Sequence, residues 1–150
     1  MQVKKVGKAL DAVTWLLVAA GIGILAYVYD RLPSEVPFHY DNSGKVNGME
    51  PKYALWISEA FFVLIIFGLS WWQQYVLSQS RSEETLEETK SVYKPVFFLS
   101  VIKLVITVTV SMTHWTSIVS MEVLPWWFFP MILLFTLAAV GWGIWFLSKN

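Results

Sequence analysis

The sequence contains no cysteine, and only 15% of its 150 residues are charged. The absence of cysteine excludes a disulfide framework, a thiolate metal site and a cysteine nucleophile. The formal net charge is zero, so bulk electrostatic attraction to nucleic acid is not expected. No phosphate-binding glycine loop, haem-attachment motif or Gly-x-Ser-x-Gly motif is present either. The sequence therefore offers no motif for a nucleotide, haem or serine-hydrolase site, and no nucleic-acid partner is predicted.

Apolar residues, in contrast, make up 56% of the chain, and aromatic residues make up 17%, with nine tryptophans. An ordinary soluble domain carries about 25% charged residues, and one of this size buries only about 70% of its surface. A water-soluble protein could not hide so much apolar surface. The composition therefore predicts an integral membrane protein.

Four apolar runs, at positions 9–29, 54–75, 95–119 and 126–147, contain most of these residues. Each has roughly the 20 residues that a helix needs to cross the hydrocarbon core, and lipid offers no hydrogen-bond partners to irregular backbone. The first run is longer than the apolar region of a cleaved signal peptide, so it is interpreted as a retained helix. We predict an all-α four-helix membrane bundle, formed as one domain over residues 1–150. A loop at 30–53 and a solvated connector at 76–94 join its helices.

The distribution of lysine and arginine predicts how the bundle is oriented. The N-terminal tail, the 76–94 connector and the C-terminus together carry seven of these residues, whereas the 30–53 loop and the turn at 120–125 carry three. Cytoplasmic loops are enriched in lysine and arginine. Both termini and the 76–94 connector are therefore predicted to be cytoplasmic, and the 30–53 loop is predicted to be outside the cell.

The predicted outer loop contains the segment LPSEVPFHYDNSGKVNGMEPK at positions 32–52. Two prolines in its first half favour extended backbone, and Phe38 to Tyr40 fits a short strand. Asp41 to Gly44 has the composition of a turn in which glycine supplies a positive φ. We expect this loop to form a structured cap packed on the bundle.

This loop resembles a family of small bacterial membrane proteins with a domain of unknown function, which also occurs in SdpI-type immunity proteins against the sporulation-delay toxin. The shared pattern is Leu-Pro, an aliphatic residue with Pro, a His beside an aromatic and an acid, a Gly, and a Lys before the second helix. Leu32, Pro33, Val36, Pro37, His39, Tyr40, Asp41, Gly44 and Lys52 carry it here. The resemblance implies a bacterial cell-membrane protein without an established enzymatic activity. We place the candidate binding residues at His39, Tyr40, Asp41, Gly44 and Lys52.

Asp11 interrupts the first run near its start, and three further ionisable residues fall inside the predicted spans, where a charge costs about 2.5–3.5 kcal/mol on insertion scales. Glu59 and His114 lie near the outer ends of their helices, and Lys103 lies near an inner end. Lys103, Thr107, Ser111 and His114 share one face of the third helix because of their spacing. We expect the hydroxyls to bond to their own helix and hold helices together. Lys103 is expected to snorkel to the inner headgroups.

His39, Glu59 and His114 all lie toward the outer side in this topology. Two imidazoles and a carboxylate are a suitable set of zinc ligands, and an open fourth position would make such a site catalytic. The three residues come from separate segments without a metal-binding spacing. The alternative is that each histidine bonds to a carbonyl or a carboxylate, and zinc is the one cofactor that the sequence suggests.

Three functions follow from these features. We favour recognition of an extracellular peptide or toxin at the outer face, as in the immunity proteins that the loop resembles. A zinc-dependent membrane enzyme at the same face is the first alternative. A small transporter is the second, and it would require a homo-oligomer because four helices are few for a transport path. Under all three interpretations the lipid bilayer is a partner.

Overall fold

The computed structural model describes residues 2–79, 86–119 and 122–149. Its elements in chain order are helix α1 (Gln2–Val28), a 3₁₀ turn (Tyr29–Arg31), strands β1 (Glu35–Tyr40) and β2 (Val46–Pro51), and helices α2 (Ala54–Gln79), α3 (Leu86–Ile118) and α4 (Phe128–Lys149). In this part of the chain, four helices are long and apolar enough to cross a membrane. The prediction of a mostly helical protein with four candidate spans is confirmed.

The helix bounds agree closely with the prediction for α2 and α4 but differ for α1 and α3. Helix α1 begins at Gln2, and α3 begins at Leu86, with Pro95 inside the helix. The segment predicted as a solvated connector at 76–94 is therefore helical at both ends, while positions 80–85 lie outside the described residues. The start of α3 contains leucine, glutamate and lysine and no glycine, a composition that favours helix over coil.

Helix α3 is the central helix, because it contacts α1, α2, α4 and β1. Apolar side chains fill the interior at three levels. Val18, Phe62 and Ile66 lie at mid-depth, Leu25, Leu32, Val36 and Leu55 at the end that carries the strands, and Phe97, Val101 and Phe146 at the end that carries the chain termini. We call these two ends the hairpin side and the termini side.

The outward surface of the helices is apolar as well. Leu16 on α1, Phe61 on α2 and Leu134 on α4 are 70%, 66% and 67% exposed. Apolar surface on this scale indicates contact with lipid or protein in place of water. Together with the four long helices, this surface is typical of a multi-pass membrane protein.

Strands β1 and β2 form an antiparallel hairpin between α1 and α2. Glu35 pairs with Pro51, Pro37 with Met49, and His39 with Gly48, and the register shifts on both sides of His39. A Cβ added at Gly48 would lie 3.0 Å from the His39 side chain. Glycine is needed at this position because the two strands approach so closely.

The tip of the hairpin is a turn built around Asp41. Its carboxylate accepts hydrogen bonds from the Ser43 N–H (2.8 Å), the Ser43 hydroxyl (2.7 Å) and the Lys45 N–H (3.0 Å). These bonds, the Ser43 hydroxyl first, hold the pKa of Asp41 below its ordinary value of 3.8. Gly44 has φ +81°, which confirms the predicted positive φ at this glycine.

The hairpin is also attached to the link between α3 and α4. The Leu124 N–H donates to the Gly44 carbonyl at 2.8 Å, and the Val46 N–H donates to the Glu122 carbonyl at 3.1 Å. Val36, a residue of β1, is completely buried. The loop is therefore a structured cap that packs on the bundle and holds its position through backbone hydrogen bonds.

Candidate functional site

A cavity of about 650 Å³ lies on the hairpin side, between β1, α2, α3 and the start of α4. Its walls are mainly apolar, with Phe61, Phe62, Ile65, Ile106, Val110 and Phe128 among them. Its polar lining residues are His39, Tyr40, Ser58, Thr113, His114, Thr116 and Ser117. A cavity of this size, apolar with a few converging polar groups, is typical of a small-molecule or side-chain binding site. We call it the hairpin-side cavity.

His114 joins α3 to two consecutive residues of α2. Its Nδ1 lies 2.9 Å from Glu59 Oε2, and its Nε2 lies 2.9 Å from Ser58 Oγ. Ser58 and His114 line the hairpin-side cavity, whereas the Glu59 side chain is only 6% exposed. The imidazole is thus held at both nitrogens, with a carboxylate on one side and a hydroxyl on the other.

Two proton arrangements satisfy this geometry. In the first, Ser58 donates to Nε2 of a neutral imidazole, and the Nδ1–H donates to Glu59. In the second, an imidazolium donates to both residues, and the Ser58 hydroxyl donates to the Leu55 carbonyl at 3.0 Å. Either arrangement gives the buried Glu59 carboxylate a hydrogen-bond donor, which a buried charge requires.

A second polar cluster, which we call the termini-side network, surrounds Lys103 between α1, α2 and α3. The Lys103 ammonium lies 2.8 Å from Asp11 Oδ1, and it donates to Gln73 Oε1 at 2.5 Å and to Ser70 Oγ at 3.1 Å. The Gln73 amide in turn donates to Asp11 Oδ2 at 2.9 Å and to Ser100 Oγ at 3.1 Å. The ammonium is therefore surrounded by three oxygen atoms, two as hydrogen-bond acceptors and one as an ion-pair partner.

This network shows that the expectation of a snorkelling Lys103 is wrong, because its side chain is 1% exposed. Asp11 on the neighbouring helix offers a closer partner than the headgroups. Asp11 and Gln73 were not among the candidate residues predicted from the sequence. The available signal was the pair of opposite charges near the same end of two predicted spans, since such charges usually pair inside a membrane.

The other polar residues on α3 have more local roles. The Thr107 side chain is completely buried, and its hydroxyl donates to the Lys103 carbonyl at 2.8 Å. Thr113 and Thr116 likewise donate to carbonyls of their own helix. Ser111 lines a different cavity, of about 300 Å³, between α1, α3 and α4. The predicted stripe is thus divided between the two polar clusters and this third space.

The predicted binding residues of the loop divide into two groups. His39 is exposed and Tyr40 half-buried, and both line the hairpin-side cavity. Asp41 and Gly44 build the turn instead. Lys52 donates to the Tyr29 and Leu32 carbonyls at 3.1 and 3.4 Å, so it fastens the second strand to the end of α1.

The three predicted zinc ligands are not all brought together. Glu59 and His114 are in direct contact, but within residues 2–79, 86–119 and 122–149 no group of three His, Asp or Glu side chains could hold a metal ion. His39 belongs to the wall of the same cavity. A zinc site there stays a prediction.

The fold and the cavity together define a multi-pass membrane protein with a capped, ligand-sized cavity at one end of its bundle. Residues 16–63 match the family described as Domain of unknown function (DUF1648). The matched segment includes the hairpin, Ser58 and Glu59, and it covers about a third of the chain. Neither a curated protein nor a solved structure matches. The family match agrees with the resemblance to a domain of unknown function and says nothing about toxin immunity.

Proposed function

We propose that the protein lies in a bacterial cell membrane and recognises an amphipathic peptide or toxin at its outer face. The observation that carries this proposal is the hairpin-side cavity, whose volume of about 650 Å³ falls within the range of ligand sites. Its apolar walls suit the apolar side chains of such a peptide, and the polar groups of His39 and Tyr40 suit its polar part.

The proposed orientation places the hairpin side outside the cell and both termini in the cytoplasm. It rests on the excess of lysine and arginine on the termini side. The chain has no cysteine, so single-cysteine variants test the orientation directly. An impermeant maleimide should label Lys45→Cys in intact cells and should label Lys90→Cys only after lysis. The reverse pattern would place the cavity on the cytoplasmic side and contradict recognition at the outer face.

The rigidity of the hairpin supports recognition. Asp41, Gly44 and Lys52 hold it by hydrogen bonds to side chains and backbone, so His39 and Tyr40 face the cavity from a preorganised element. A preorganised site loses less conformational entropy when a ligand binds. The resemblance of this loop to the SdpI-type immunity proteins suggests the sporulation-delay toxin as the first ligand to test.

The test compares survival of a sensitive bacterial strain that expresses the wild-type protein or a variant and is exposed to the sporulation-delay toxin. Wild type is expected to protect, and His39→Ala is expected to reduce protection. Glu35→Ala is the matched control, since Glu35 is exposed on the same strand and does not line the cavity. Equal protection by His39→Ala and wild type, or none by wild type, would contradict toxin recognition through this cavity.

A further inference from the structure

We propose that Ser58, His114 and Glu59 form a nucleophile–base–acid triad that hydrolyses a carboxylic ester of a long-chain acid in the hairpin-side cavity. The inference rests on the proposed function only in using this cavity as a binding site, and it goes beyond peptide recognition. Such triads are identified by geometry and by the role of each residue, not by sequence order. Both required distances, Ser58 Oγ to His114 Nε2 and His114 Nδ1 to Glu59 Oε2, are 2.9 Å.

Burial of the three side chains follows the order that this chemistry requires. Ser58 is half-buried and lines the cavity, His114 is 15% exposed, and Glu59 is 6% exposed and lies behind the imidazole. The hydroxyl is therefore accessible to a bound molecule, while the carboxylate contacts the histidine. A buried carboxylate on Nδ1 fixes the tautomer that leaves Nε2 free to take a proton from serine.

The walls of the cavity indicate the class of substrate. Phe61 and Ile65 line it and are 66% and 51% exposed on α2, so the cavity opens toward the side that the bilayer covers. An acyl chain could enter from the lipid without losing any hydrogen bond. A recognised peptide could place apolar side chains in this space, but its backbone there would leave amide groups unpaired, at a cost of several kcal/mol each. The substrate of the triad is therefore inferred to be an acyl ester and not a peptide bond.

The reaction balances with water as the second substrate. Ser58 Oγ bonds to the acyl carbon while its proton passes to His114 Nε2, and the ester C–O bond then breaks as the alcohol leaves with that proton. Water attacks the acyl-serine, giving a proton to His114, and the freed Ser58 Oγ takes it back as the acid leaves. Ser117 and His39 line the same cavity, and a hydroxyl or ring N–H from this lining is the kind of donor that a developing oxyanion requires.

An alkyl fluorophosphonate tests the activation of Ser58, because the serine oxygen displaces fluoride and the phosphonyl adduct is read by intact mass. The full-length protein in lipid nanodiscs is expected to gain one adduct on Ser58. Ser58→Ala should gain none. Glu59→Gln keeps the size of the side chain but disturbs the tautomer, so its labelling rate should fall by about 10²–10⁴-fold. Ser111→Ala, which changes a helical serine in another cavity, should react like wild type.

A second measurement separates activation from a merely structural role. Hydrolysis of p-nitrophenyl esters by wild type is expected to show a kcat/KM that rises with acyl chain length, and Ser58→Ala should show none. The inference is overturned if Ser58→Ala hydrolyses the esters as wild type does, or if Glu59→Gln labels at the wild-type rate.

Binding of a fluorescent long-chain alkyl probe distinguishes this inference from the proposed function. Ser58→Ala and wild type should bind the probe equally well. Binding by wild type without phosphonylation would refute the triad and leave the cavity as a recognition site. If wild type neither binds the probe nor is phosphonylated, the cavity is not a binding site for apolar chains.

Discussion

The two polar clusters inside the bundle differ in how completely their groups are paired. In the termini-side network, the Lys103 ammonium has three oxygen partners within 3.1 Å, two through hydrogen bonds and one through the ion pair with Asp11. Asp11 Oδ1 is paired through its charge with that ammonium at 2.8 Å and has no further hydrogen bond in the described part of the chain, and Asp11 and Gln73 border a cavity of about 280 Å³. On the hairpin side, Glu59 Oε1 has no hydrogen-bond partner among the described residues, and Ser58 borders a larger cavity, of about 650 Å³. Both clusters join neighbouring helices through a pair of ionisable side chains.

This difference is the reason why we assign a structural role to the termini-side network and propose a functional one for the hairpin-side cluster. A buried polar network that is fully paired rigidifies the helices that contribute to it, whereas a partly paired one keeps capacity for another group. In natural proteins an unpaired buried polar atom usually has a specific reason. We therefore expect damage to the termini-side network to affect mainly stability, and damage to the hairpin-side cluster to affect mainly ligand chemistry.

The largest effect is expected from Lys103→Ala. The substitution removes a cation that is 1% exposed and leaves the half-buried Asp11 without it, so the free energy of unfolding should fall by about 3 kcal/mol, the lower end for a buried pair. Replacing both partners, as in Lys103→Met with Asp11→Leu, removes both charges and should cost much less. Unfolding in mixed micelles with increasing SDS measures both variants. If the single and double variants lose equal stability, the ion pair does not carry the network.

His114→Ala should lower stability less, by about 1–3 kcal/mol. The imidazole is 15% exposed beside the cavity, so water can reach the place it leaves. The same micelle titration measures the loss. Thr136→Ala is a suitable control, because the Thr136 hydroxyl donates to the Ile132 carbonyl of its own helix at 2.9 Å. A loss as large as that of Lys103→Ala would mean that the two clusters have the same structural role.

The helices could be predicted because hydropathy is a local property of the chain. The predicted runs 54–75 and 126–147 match α2 (Ala54–Gln79) and α4 (Phe128–Lys149) closely. The first strand was predicted in part, at 38–40. The second strand was not, because Gly48 and Pro51 have low β propensity, and its pairing depends on contacts with β1.

The candidate site was predictable only as a set of unusual residues. Glu59 and His114 were singled out because ionisable groups at membrane depth need a reason. Their contact with each other, and the position of Ser58 on the other imidazole nitrogen, depend on how α2 and α3 rotate against one another. Nothing in a single sequence specifies that rotation. The zinc hypothesis therefore grouped Glu59 and His114 with His39 only because all three lie at the same end of the predicted bundle.

A smaller effect is expected at the hairpin, where Gly44→Ala tests whether the turn must keep its shape. An alanine at φ +81° is strained, and its Cβ would lie 3.3 Å from the Leu124 carbonyl oxygen. The cost should be about 1–2 kcal/mol, with weaker binding of the alkyl probe if the hairpin shifts. Gly68→Ala is the control, since a Cβ there meets nothing within 4 Å in α2. Equal stability of the two variants would show that the turn tolerates distortion.

The smallest effect is expected from protonation of Asp41, which lies in the hairpin turn and belongs to neither of the two polar clusters. Its pKa in the folded protein is lowered by the Ser43 hydroxyl and by backbone N–H groups. A lowered pKa means that the charged turn stabilises the fold at pH values above the ordinary pKa of 3.8. This contribution disappears as the pH falls through the lowered pKa.

Carboxyl ¹³C shifts of Asp41 should therefore titrate with a midpoint below 3.8. Ser43→Ala should raise that midpoint and Ser34→Ala should not, because Ser34 lies outside the turn. An unchanged midpoint in Ser43→Ala would show that the hydroxyl does not stabilise the charged carboxylate.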